Sequence, residues 1–126
     1  MLAQVNAPAS AVVGIDRLGR LVRTALKDVL DAFADDDVAK AYDVWNRDEE
    51  IDQVYTGLFR ELLTYMMEDP RNITACTHLM FMAKNIERAG DHVTNIAELV
   101  SFRQTGQTFA EARPKGSGSL YTTGAN

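Results

Sequence analysis

Apolar residues recur every three or four positions through most of this chain, and polar residues fill the gaps. That period is helical, and no stretch alternates as a half-buried strand would. Three long helices are predicted. The first runs from Ser10, a candidate N-cap, to about Ala34, with Val12, Ile15, Leu18, Val22, Ala25, Leu26, Val29 and Phe33 as its apolar seam. Asp16, Arg17, Arg20, Arg23, Lys27 and Asp28 form its wet face, and Gly14 and Gly19 weaken its start and mark close packing. The second runs from about Val38 to Glu68, with Ala41, Val44, Asp48, Ile51, Tyr55, Leu58, Leu62 and Tyr65 in steps of three and four. The third runs from about Asn72 to Gln104, with Ile73, Cys76, Leu79, Met80, Ala83, Ile86, Gly90, Val93, Ala97 and Val100 as its seam.

The breaks between these runs have local causes. Asp35-Asp36-Asp37 reads as a turn and an N-cap, not a calcium loop, because the glycine and terminal glutamate of such a loop are absent. Pro70 ends the second helix and Gly106 the third. Residues 10–106 are therefore expected to form one all-α domain, an antiparallel three-helix bundle, between a flexible lead at 1–9 and a flexible tail at 107–126. Met66, Met67, Met80, Met82 and Cys76 read as core filler; Cys76 and His78 are too isolated for a zinc site, and His92, next to Asp91, points about 100° away around the helix.

One departure from the apolar pattern carries chemistry. Asp48 stands on the seam of the second helix, and Asp52 follows one turn later on the same face. On the third helix Glu87 and Asp91 are spaced likewise, in a polar stripe with Thr94 and Glu98 beside Ile86 and Gly90. The midpoint of the first pair lies twenty residues before Pro70 and that of the second nineteen after it. In a hairpin folded at Pro70 both pairs stand at one height, about 30 Å from the turn. A converging set of four carboxylates repels itself unless cations intervene, and all-oxygen ligation suits hard ions such as Mg²⁺, Mn²⁺, Ca²⁺ or ferric iron. The Glu-x-x-His pair of a di-iron bundle is absent. The competing readings are a solvated acidic edge with a packing glycine, or an ion pair from Asp48 to Arg20 or Arg23.

Composition narrows the function. The chain has 126 residues, enough for one domain with a real core, and a net charge of −5, which argues against nucleic acid as a partner. A lone cysteine and the lack of a signal-like leader point to the cytoplasm, and no apolar run is long enough to span a membrane. No nucleophile stands beside the acids and no glycine-rich phosphate loop is present, so hydrolysis ranks last.

Three stretches, Asp48-Glu49-Glu50-Ile51-Asp52, Leu62 to Thr74, and Lys84 to Glu98, resemble the PhoU family of phosphate-signalling regulators. The likeness covers about residues 12–115 and is most specific in the last stretch. It implies a single three-helix repeat, similar to the second of the two that build the family's architecture. It implies metal ligation by Asp48, Asp52, Glu87 and Asp91, supported from behind by Arg88, Asn95 and Glu98, with iron, zinc, manganese or magnesium in multinuclear clusters. It further implies a negative regulator of the phosphate-starvation response, not an enzyme, acting on a phosphate ABC transporter and its associated membrane histidine kinase. Membrane association would come only through those partners. With one repeat in hand, two chains are expected to pair as a homodimer.

Overall fold

The computed structural model describes residues 7–112. The expected lead falls outside them at residues 1–6, and the expected tail at 113–126. Three long helices, α1 (Ala9–Asp35), α2 (Val38–Glu68) and α3 (Ile73–Thr105), each pack against the other two, and there is no strand among the described residues. A short α4 (Phe109–Ala112) follows. The two tight reversals make α2 antiparallel to its neighbours and leave α1 and α3 parallel.

The punctuation is chemical. Asp36 takes the left-handed conformation at φ 54° and closes α1, and the Asp37 carboxylate accepts the Lys40 N–H at 3.0 Å to start α2. Pro70–Asn72 forms a 3₁₀ turn whose first N–H groups are met by Asp69, while Gly106 at φ 79° ends α3. Ser10 is not the cap of α1. The helix begins one residue earlier behind Pro8, and the Ser10 hydroxyl instead binds Glu61 and Tyr65 on α2.

The core is aliphatic and small. Ile15, Leu18, Val22, Ala25 and Val29 of α1 meet Val44, Ile51, Leu58 and Leu62 of α2 and Cys76, Ala83, Val93, Ala97 and Val100 of α3. The seam expected for α1 is one residue out of phase at its ends. Ala11 and Ala32 are buried, whereas Val12, Leu26 and Phe33 stand on the adjoining stripe at 48%, 40% and 37% exposure. Ile73 is likewise exposed, as are Met67 and Met82, which removes them from the core filler. A neighbouring helix covers whichever stripe faces it, so the size of a side chain does not decide its burial.

The tail expected from residue 107 is corrected for its described part. Phe109 inserts into the bundle end at 7% exposure and meets Tyr42 and Trp45 with ring centroids 5.2 and 5.7 Å away. The Ser101 hydroxyl donates to Gln107 O at 2.6 Å, and the Glu98 carboxylate accepts the Phe109 N–H. The sequence signs of this anchor were Phe109 itself and the Thr108/Glu111 spacing of a capping box, which the structure forms.

Candidate functional site

The acidic pairs occupy the groove between α2 and α3. Asp48 and Glu87 are half-buried, Glu87 with 15% of its side chain exposed, and Asp52 and Asp91 reach solvent. Burial pushes the Asp48 carboxyl above the ordinary carboxylate range. The Thr94 hydroxyl beside it works the other way, and the negative charges of Asp91, Asp52 and Glu87 raise it again. The charges of all three other acids therefore act on Asp48, across the helix–helix contact as well as along α2. The charges of both pairs reach Asp48, as the shared height counted from Pro70 requires. Among the described residues neither Arg20, which binds Asp16 at 2.7 Å on α1, nor Arg23 forms the ion pair with Asp48 that was the competing reading.

A lysine that the sequence reading passed over also enters the site. Lys84 Nζ lies 3.4 Å from Glu87 Oε1 and stands 5.7 Å from the Tyr55 ring centroid. Its i, i+3 spacing from Glu87 was a usable signal. It brings one positive charge to a patch of four negative ones. The supporting residues divide. Arg88 and Asn95 are exposed beside the patch, whereas Glu98 is engaged by the Phe109 N–H and holds the start of α4.

The donor chemistry of this patch fits a hard cation, since its four acidic groups on α2 and α3 offer oxygen ligands only. The side chains themselves are not gathered around one point. Among the described residues, no three acidic, histidine or cysteine side chains come within reach of a common metal ion. Cys76 is wholly buried, with its thiol pushed up by that burial, and His78 and His92 are exposed away from the acids.

Gly90 lies at the centre of this level, where α3 crosses both other helices. A β-carbon added there would meet Ile51 Cγ2 at 3.5 Å and Val22 Cγ2 at 3.6 Å, which is ordinary contact. The glycine borders the core, not a ligand, and nothing in its surroundings demands the missing side chain.

A family profile for the PhoU domain matches residues 15–100. A phosphate-specific transport system accessory protein PhoU homolog of Caulobacter vibrioides is 58% identical over 109 residues, which is 86% of this chain and 47% of that protein. Its counterpart in Rhizobium meliloti is 56% identical over 86% of this chain and 46% of its own length. The Escherichia coli phosphate-specific transport system accessory protein PhoU is 43% identical over 78% of this chain and 41% of its own length. The chain thus spans about half the length of the curated relatives it matches. No solved structure gives a significant match.

Proposed function

Because this chain belongs to the PhoU family, we propose that it is a non-catalytic accessory regulator of phosphate uptake. Its relatives are named as accessory proteins of the phosphate-specific transport system. On this reading the chain restrains the phosphate-starvation response from the cytoplasm. It acts on the phosphate ABC transporter and the membrane histidine kinase associated with it, and meets the membrane only through them. No helix among the described residues is long and apolar enough to cross a membrane itself. Two copies pair, which brings together about as much chain as one relative contains.

Asp48, Asp52, Glu87 and Asp91 hold the metal in this proposal, as one or more ions of iron, zinc, manganese or magnesium. The metal supplies positive charge that fixes α2 against α3. The observation that carries the proposal is the half-buried Asp48, on which three further acids bear. Carboxylates in that relation favour any state that brings cations to them. Lys84 at Glu87 supports a second reading, a helical interaction module whose acids are neutralised by the chain's own cations and by solvent.

Metal analysis of protein purified without chelator separates the two. The proposal expects at least one tightly held ion per chain, and its loss in the Asp48→Asn/Glu87→Gln variant with the helical circular-dichroism signal unchanged. A double variant that keeps the parent's metal rejects the metal assignment. The regulatory part has its own readout. Expressed in a bacterium that lacks its family member, the chain should lower a phosphate-starvation reporter in phosphate-rich medium, and an unchanged reporter rejects it.

A further inference from the structure

The outer face formed by α1 and α3 carries a pattern that neither the core nor the acidic patch uses. Arg103 stacks over the Phe33 ring at 4.4 Å, which fixes the register of these two parallel helices. The same offset sets Val12 level with Met82, Gly19 with Ala89, and Leu26 with Ile96. Both rows therefore advance by seven residues, about two turns, and stay on one side of the bundle. In each row a small residue lies midway between two large apolar ones.

Three of the four large members are uncovered, while Ile96 packs partly against the core. Val12, Leu26 and Met82 are 48%, 40% and 49% exposed, and the adjoining Leu30 and Leu99 reach 50% and 51%. The middle layer is open. A β-carbon added to Gly19 would meet nothing within 4 Å, and Ala89 is exposed. A glycine at such a place costs a helix about 1 kcal/mol relative to alanine, and no contact among the described residues accounts for it.

We propose that this α1/α3 face is the surface on which two copies of the chain associate, related by a two-fold axis through the Gly19/Ala89 layer. A second copy turned end for end about that axis sets Val12 against the partner's Leu26 and Met82 against the partner's Ile96. Asp16, three residues before Gly19, then comes level with the partner's Arg23, four residues after it. The face is thus symmetric about the axis, as an isologous interface must be, and sets Asp16, which Arg20 of its own chain also binds at 2.7 Å, near the partner's Arg23. The small layer lets the helices cross closely at the axis. Roughly 30 Å of helix two helices wide gives about 600 Å² on each partner, against about 800 Å² in a standard interface. This proposal deepens the self-association in the proposed function by naming its surface, and it needs no metal.

The test uses the full chain with chelator present, so its outcome is independent of the metal assignment. Sedimentation velocity should show a monomer–dimer equilibrium between micromolar and several hundred micromolar protein. A monomer throughout that range overturns the proposal. Gly19→Cys should form a disulfide-linked dimer under mild oxidation, because the position lies at the axis. Gly57→Cys, an equally open glycine on α2, should not. Equal cross-linking of the two overturns the assigned face. Arg23→Asp should weaken the dimer on the order of tenfold, and Asp16→Arg/Arg23→Asp should restore it. All four positions lie on the surface, so circular dichroism should stay unchanged. A swap that does not restore association overturns the assigned axis.

Discussion

Two helix–helix contacts in this bundle take carboxylates partly out of water and treat them in opposite ways. Between α1 and α2, Arg47 reaches Asp28 at 2.7 Å and Asp43 at 2.8 Å, with the Arg47 and Asp28 side chains only 30% and 22% exposed. The hydrogen bond to Asp43 holds the guanidinium above its ordinary pKa, burial works against it, and Asp28 adds to the rise. Between α2 and α3, Asp48 meets a hydroxyl and three further acids. One contact carries its counter-ion in the sequence. The other is incomplete in charge, with Lys84 as partial relief. The first contact is complete as it stands, and in the proposed function the second is the one left to bind a cation.

Removing the internal cation should have the largest effect. Arg47→Met strands Asp28 in a half-dry contact and is expected to cost about 2 kcal/mol, less than a fully buried pair would lose. For a chain of 126 residues that lowers the thermal midpoint by roughly 5–10 °C, measurable by calorimetry. A loss below 2 °C would erase the contrast between the two contacts.

Asp48→Asn should do the reverse. In metal-free protein at pH 7 it removes a charge that its surroundings disfavour, and a gain in stability is expected. The pH dependence follows from the sign of the shift. Folded Asp48 holds its proton more tightly than the unfolded chain does. Its contribution to stability is therefore complete below the unfolded value of about 3.9 and is lost as pH rises through the elevated folded value. Acidification from pH 7 should narrow the difference between parent and variant, as read by denaturant melts at matched pH. A difference that widens on acidification would mean that Asp48 is stabilised as the anion.

The smallest effect tests the packing at the same level. Gly90→Ala places a methyl group at 3.5 and 3.6 Å from its neighbours and removes a helix-interior glycine. Stability should rise by up to about 1 kcal/mol with metal content unchanged. A loss of metal in this variant would show that the glycine serves the patch after all.

The helices were legible because their ends are set locally. Asp37, Pro70 and Gly106 each act on the backbone within one turn, and the observed bounds lie within a residue or two of those expected. The shared height of the acidic pairs was legible for a similar reason, since both count from Pro70. What the sequence hid depends on neighbours. Val12, Leu26 and Phe33 have the spacing of a seam yet lie beside it, because only the assembled bundle decides which stripe is covered. Asp28 looked like part of a wet face until the fold brought Arg47 of α2 to it. Phe109 looked like part of a polar tail because its pocket is built by residues more than sixty positions away.

That last anchor has a practical consequence. Trp45 is the sole tryptophan of the chain, stacked near Tyr42 at 6.0 Å and capped by Phe109. The molecule thus comes with an intrinsic fluorophore whose immediate surroundings include its own C-terminal hook. Release of the hook would wet the indole and redden its emission, so an unlabelled sample can report, in real time, whether the end of the bundle is latched.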